Sequence, residues 1–322
     1  MKVLEIKNLN VAYKNKEKQV FAVNNVSLSI NEGDSVGIVG ESGSGKSTLA
    51  MAILRLLPES STEITGTIDY KGKDLLKMST GEFNEIRWKE LAVVFQKSMN
   101  GLSPIHKIGS QIEDIYRVHV PKISKQKVKE KILSLFKLVN LSERVYNLYP
   151  HELSGGMLQR VSIALSLIHQ PPILILDEAT TALDVVTQGQ ILSEIQKLEE
   201  KIKMTRIMIT HDMSVVATAC KKVVVMYAGK VMEVGKVQDV LLKPTHPYTQ
   251  GLMKSFPSLK GEKTELRGIP GFMPNLADQN KGCIFAPRCS FAKEKCHKEV
   301  PKEIEITHGH FSACHIYGGD FN

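Results

Sequence analysis

Long hydrophobic runs are missing from this sequence. No stretch approaches the roughly 18 apolar residues of a membrane-spanning helix, so none is expected. The first residues, MKVLEIKNLNVAY, hold no unbroken apolar segment, and a secretory leader is not expected either. Cysteine is also scarce. Before Cys283 only Cys220 occurs, within the helix-like stretch MSVVATACKK, where it reads as a small core residue. A disulfide framework is therefore not expected, and the chain is expected in the cytosol, where thiols stay reduced. Nor is the charge strongly one-sided. The net charge of +8, from 42 Lys+Arg against 34 Asp+Glu, could serve nucleic acid or an anionic membrane. Yet from Gly261 to Asn322 eight basic residues meet eight acidic ones. The basic run KISKQKVKEKILSLFK has apolar residues at helical spacing and reads as a solvated helix face.

What is present is an ordinary globular composition, 42% apolar and 24% charged, over 322 residues. That length suggests about two domains. Within it, DSVGIVG (Asp34–Gly40) is a short apolar run ending in glycine and reads as a buried strand. GESGSGKST follows, then LAMAILRLL, which reads as a helix stopped by Pro58. Gly40, Gly45, Lys46 and Ser47 thus fit a phosphate-binding loop between strand and helix. Glycines let backbone N–H groups close around phosphate oxygens, and the helix N-terminus adds partial positive charge. On this reading Gly40, Ser42, Gly43, Ser44, Gly45, Lys46, Ser47 and Thr48 bind a nucleotide. Lys46 reaches the β- and γ-phosphates, and the Ser47 hydroxyl ligates Mg²⁺.

A second run, PPILILDEATTALD, leads an apolar strand into Asp177 and Glu178. A carboxylate at such a strand end is the expected Mg²⁺ partner of a phosphate-binding loop, which makes Asp177 the candidate. Glu178, one residue on, could polarise a water toward the γ-phosphate. A third run, LSGGMLQRVSIALSLI, has Ser154, Gly155 and Gly156 opening a long helix, another anion-binding arrangement.

With LSGG standing before the Asp–Glu strand, the sequence resembles the ATP-binding-cassette (ABC) ATPases, whose signature is LSGGQ. Met157 stands where glutamine is usual. The resemblance covers about residues 1–255 and implies further roles. Tyr13 matches the aromatic that stacks on adenine. Gln96 matches the glutamine that touches Mg²⁺ and the attacking water, and its loop faces the membrane partner. Asp184 matches the loop that crosses between two ATPase subunits. His211 matches the histidine that senses the γ-phosphate. The implied fold is α/β: a mixed, mostly parallel sheet, an antiparallel β layer and a helical subdomain at about residues 105–165. VVVMYAGKVMEVG reads as a closing hairpin around Ala228 and Gly229. The signature of one subunit is expected to close over the nucleotide of another. The working unit is then a dimer sandwiching two ATP molecules, with Glu178, His211, Gln96 and Lys46 as its catalytic residues.

From about residue 256 the composition changes. KPTHPYTQGLMKSFPSLKGEK carries prolines and glycine that mark a new region, and four cysteines follow with spacing C-x5-C-x6-C-x17-C at Cys283, Cys289, Cys296 and Cys314. Clustered cysteines in a reducing compartment favour a metal. Zinc sites usually carry C-x2–4-C pairs, and none is present. Four widely spaced thiolates fit a 4Fe–4S cluster better. Zinc, with His297, His308, His310 or His315, and four packed thiols without metal both stay open. RGIPG, GCIFAPRC and HPYTQGL resemble the C-terminal extension of the ATPase subunits of dipeptide and oligopeptide importers. That resemblance implies a peripheral protein at the cytoplasmic membrane face. It also implies a second, paralogous ATPase subunit, two transmembrane permease subunits, an extracytoplasmic solute-binding protein, and no nucleic-acid partner. Nickel or other small solutes are alternative cargo. A soluble ABC ATPase acting on nucleic acid and a redox regulator are the competing classes.

Overall fold

The computed structural model describes residues 1–14, 19–95, 101–180, 183–255, 268–277 and 281–318. The chain forms two compact units. One comprises Met1, Asn31–Asp34 and Lys77–Met208; the other comprises Lys2–Ile30, Ser35–Leu76 and Ile209–Asn322.

The N-terminal antiparallel layer is as expected. Strands β1 (Lys2–Lys14) and β2 (Gln19–Asn31) precede β3 (Ser35–Val39) and helix α1 (Lys46–Ile53), and β4 (Thr62–Tyr70) and β5 (Lys73–Asp74) complete a sheet of order β2-β1-β4-β5. β1 and β4 run antiparallel from Leu4↔Tyr70 to Tyr13↔Thr62, with a register shift between Lys7 and Asn10. β3 is buried at all five residues, which is why its sequence lacks polar alternation. Helix α1 ends earlier than LAMAILRLL and Pro58 suggest. Arg55 takes a left-handed φ of 50°, and the N–H groups of Arg55 and Leu56 close on the carbonyls of Ala52 and Met51. This is a Schellman stop, formed without the glycine that would have announced it.

The unit containing Lys77–Met208 carries α2 (Thr80–Ile86), β6 (Leu91–Phe95), α3 (Ile108–His119), α4 (Lys125–Leu138), α5 (Gly155–Ser166), β7 (Ile173–Asp177), α6 (Val185–Ile202) and most of β8 (Thr205–Ile209). Helix α2 starts on a capping box between Ser79 and Glu82. β6 and β7 pair in parallel from Leu91↔Ile173 to Phe95↔Asp177, and β8 lies on the other side of β7. Helices α3, α4 and α5 fall in the expected helical stretch. The basic run forms α4, with Val128, Ile132, Leu135 and Phe136 buried on one face. Lys125, Lys127 and Lys129 are exposed, so the solvated-face reading holds.

The other unit continues with α7 (Met213–Ala219), β9 (Lys222–Tyr227), β10 (Lys230–Lys236), α8 (Val237–Leu242), α9 (Pro247–Lys254), α10 (Glu294–Lys298), β11 (Ile304–Thr307) and β12 (His310–Ser312). β3 and β9 are parallel, Val36↔Lys222 to Val39↔Val225. β9 and β10 form the expected hairpin. Ala228 and Gly229 both have positive φ (49° and 81°), the primed turn that suits the twist of paired strands. Pro247 opens α9 at its first turn, where a missing N–H costs nothing, and the His246 ring caps the helix by accepting from the Tyr248 N–H at 3.0 Å.

Residues beyond the hairpin extend the same sheet, in the order β11-β12-β10-β9-β3. A buried polar knot fixes this junction. Glu233 on β10 accepts from the Thr245 N–H (2.8 Å) and hydroxyl (2.9 Å) and from the His246 N–H (2.9 Å), and its Oε1 lies 2.7 Å from His310 Nε2 on β12. Burial holds the His246 pKa down, to about 4. A histidine depressed in the fold binds fewer protons than in the unfolded chain, so stability is lost as pH falls from about 6.5 through about 4. At 1.36 kcal/mol per unit the loss is on the order of 3 kcal/mol. Denaturant melts at pH 7.5 and 4.5 should show this loss. His246→Asn should be less stable at pH 7.5 but flatter with pH; an unchanged pH slope in that variant would refute the assignment.

Candidate nucleotide-binding site

The buried strand β3 delivers the chain into the loop at Gly40. Two glycines there are required by close approach. A Cβ on Gly40 would lie 2.0 Å from the Met226 carbonyl oxygen, and one on Gly45 would lie 2.1 Å from that of Ala22. Gly45 also has φ 94° and is the N-cap of α1, so the open N–H groups of that helix face the loop. Lys46 is buried and folds back over the loop. Its Nζ donates to the Gly40 and Glu41 carbonyls, both at 2.8 Å, and to Ser44 Oγ at 3.1 Å. A triphosphate offers this ammonium charged acceptors in place of neutral carbonyls. Ser47 is exposed at the start of α1, and Tyr13 Oη lies 3.3 Å from Thr48 Oγ1, which places the predicted adenine-stacking ring beside the loop. Ser42 and Gly43 are exposed at the loop tip and Ser44 is fully buried. His211 is exposed in the same unit, two residues after β8 and just before Asp212, which caps α7.

The remaining predicted residues lie in the other unit. Asp177 ends β7 and is buried. Glu178 follows with a left-handed φ of 49°. Strain of this kind in a non-glycine residue costs of order 1–3 kcal/mol and concentrates at functional positions. Ser154 caps α5 by accepting from the Met157 N–H at 3.3 Å, with Gly155 exposed and Gly156 half-buried in the first turn. Asp184 caps α6, accepting from the Thr187 N–H at 2.9 Å; this bonding with Thr187 pulls its pKa down. Val185 and Val186 beside it are 84% and 69% exposed, an apolar pair unusual for a free surface. Gln96 lies outside the described residues.

Gln159 carries no signal in the sequence. Buried within α5, it donates to the Ala179 carbonyl and so ties the LSGG helix to the turn that carries Glu178. No motif announces it; only the paired burial of α5 and β7 does.

The four cysteines gather in the unit that holds the phosphate loop, and all are reduced. Burial pushes the thiols of Cys283, Cys289 and Cys314 up, Cys314 to about 11, and each is raised further by its cysteine neighbours. Backbone amides counter this: those of Phe285 and Ala286 at Cys283, Phe291 at Cys289 and Ile316 at Cys314. Among the described residues no group of three or more His, Cys, Asp or Glu side chains is placed to hold a metal ion. Of the histidines weighed for zinc, His310 instead bonds Glu233, and His315 Nε2 lies 2.9 Å from the Glu299 carbonyl.

Residues 23–181 match the family model described as ABC transporter, and residues 232–296 match that of the oligopeptide/dipeptide transporter C-terminal region. The oligopeptide transport ATP-binding protein OppD of Haemophilus influenzae is 42% identical over 322 residues, covering 99% of each chain. The chain belongs to this ABC transporter family. The dipeptide transport ATP-binding protein DppD of Caldanaerobacter subterraneus is 40% identical over 316 residues, covering 98% of this chain and 97% of that one. Among solved structures, the dimeric MJ0796, a bacterial ABC transporter cassette, superposes with a TM-score of 0.67 at 31% identity, covering 73% of this chain and 98% of that one. The fold is thus the ABC ATPase cassette, and the chain is an ABC ATPase. No helix among the described residues is long and apolar enough to cross a membrane.

Proposed function

We propose that this ABC ATPase is the energy-coupling subunit of an importer of dipeptides or oligopeptides, peripheral on the cytoplasmic membrane face. The observation that carries this reading is the relationship to peptide-transport ATPases over the whole chain, extension included. Its partners are two permease subunits, an extracytoplasmic solute-binding protein and a second ATPase subunit. The dimeric state of the MJ0796 cassette supports a two-ATPase working unit.

In the proposed cycle Tyr13 stacks on adenine, and the amides of Gly43 to Thr48 with Lys46 bind the phosphates. Ser47, Asp177 and Gln96 would hold Mg²⁺, which supplies charge neutralisation on the phosphate oxygens when bound. The hydroxyl of Ser47 and the carboxylate of Asp177 are the hard oxygen donors this ion takes. Glu178 orients the attacking water, His211 meets the γ-phosphate, and Ser154, Gly155, Gly156 and Asp184 act on the nucleotide of the partner subunit. Residues 256–322 form the extension.

We assign Cys283, Cys289, Cys296 and Cys314 to a 4Fe–4S cluster. Mutual proximity, burial and amide donors suit clustered thiolates, whose charge N–H groups stabilise. When bound, such a cluster supplies a covalent staple and one-electron redox capacity. Anaerobic purification should yield about four iron and four sulfide per chain. Stoichiometric zinc, or no metal, would reject the assignment.

The function itself is tested in cells. A strain carrying Lys46→Ala should lose uptake of labelled di- and tripeptides while keeping nickel uptake. Loss of nickel uptake with intact peptide uptake would reverse the choice of cargo.

A further inference from the structure

A side chain of the cysteine-bearing extension, Arg288, bonds into the phosphate loop. Arg288 ends a short 3-10 turn, Ala286–Arg288, immediately before Cys289. Its side chain is only 7% exposed, and every nitrogen is engaged. Nη1 donates to Glu41 Oε2 at 2.8 Å and to Tyr227 Oη at 3.3 Å. Nε donates to the Pro270 carbonyl at 2.8 Å and Nη2 to that of Ile269 at 3.0 Å. The guanidinium also lies over the Tyr227 ring, 5.6 Å from its centroid. Phe285, three residues earlier, packs edge-on to Tyr227 and against Tyr248, at centroid distances of 5.2 and 5.3 Å. The turn is thus seated in an aromatic corner.

Glu41 is the residue after Gly40 in the loop, and all of its polar groups are held. Its N–H donates to Tyr248 Oη at 2.9 Å, its carbonyl accepts from Lys46 at 2.8 Å, and its carboxylate accepts from Arg288. A carboxylate in a loop built to receive a triphosphate opposes its ligand unless a cation neutralises it. The cassette's own nearby cation, Lys46, is bonded to loop carbonyls and to Ser44. The extension supplies a second.

We infer that Arg288 is a positioning residue of the nucleotide site: by neutralising and anchoring Glu41 it makes ATP affinity depend on the cysteine-bearing extension. The inference rests on the reading of residues 40–48 as the nucleotide loop, and it holds whatever the cysteines bind.

The test is a four-protein cycle on the full chain, read by titration with a fluorescent ATP analogue, with thermal melting as the folding check. Arg288→Met should weaken binding about tenfold, the scale of a lost charge-assisted contact, and more at low salt. Adding Glu41→Gln to that variant should restore affinity to near the wild-type value, because the harm comes from the unneutralised carboxylate. A purely structural arginine would not be rescued in this way. Glu41→Gln alone keeps the other Arg288 bonds and should bind at least as tightly as wild type, so it decides the matter if Arg288→Met fails to fold. Wild-type affinity in a folded Arg288→Met, a loss that persists in the double variant, or weakened binding by Glu41→Gln alone would each overturn the inference. Lys46→Ala separates the two failures. If its affinity equals that of the wild type, the loop reading is wrong; if its affinity falls, only the role of Arg288 is at stake.

Discussion

Glu178→Gln should bind ATP as tightly as the wild type and hydrolyse it roughly 10²- to 10⁴-fold more slowly, the range that a positioned acid–base group contributes. The amide keeps the shape of the side chain but cannot accept a proton or hold a water as a carboxylate does. The backbone conformation is expected to survive, since the left-handed φ of 49° at this position costs an amide no more than it costs the acid. A fall in kcat with an unchanged dissociation constant identifies an interaction made in the transition state. Steady-state phosphate release and nucleotide titration on one preparation measure both. Near wild-type turnover would remove Glu178 from the mechanism.

Lys46→Ala should lose nucleotide affinity by about tenfold to a hundredfold, as expected when hydrogen bonds to a charged group are removed. Here the effect has two sources. The ammonium that would meet the phosphates is gone, and the Gly40 and Glu41 carbonyls that it satisfies lose their donor. Isothermal titration with ATP and with ADP separates them. A loss greater for ATP than for ADP points to the phosphate contact, and an equal loss to collapse of the loop. Full affinity for both would contradict the assignment of the loop.

Much of this site could be read from the chain because its chemistry is local. A phosphate cradle needs glycines at fixed offsets, and the contacts at Gly40 and Gly45 explain why no other residue stands there. Ser154 and Asp184 are helix caps, so each signals its place through the residues that follow it. The buried runs of β3 and β7 are short and fully apolar before their polar ends, which makes them legible as parallel strands. What escaped depends on pairs distant in sequence. Gln159 meets Ala179, Glu233 meets His310, and Arg288 meets Glu41, separated by 20, 77 and 247 residues. None of these has a local pattern. The early stop of α1 was hidden differently, because an arginine fills a position where glycine is the usual signal.

The proposed function stands on coupling between ATP hydrolysis and import. The most direct measurement is ATP hydrolysis by this chain reconstituted in lipid vesicles with its permease subunits and partner ATPase, with the solute-binding protein added empty, peptide-loaded or nickel-loaded. The account predicts that the peptide-loaded protein stimulates hydrolysis and drives labelled peptide across the bilayer, and that Glu178→Gln abolishes both. Hydrolysis indifferent to peptide, or stimulated by nickel instead, would contradict it.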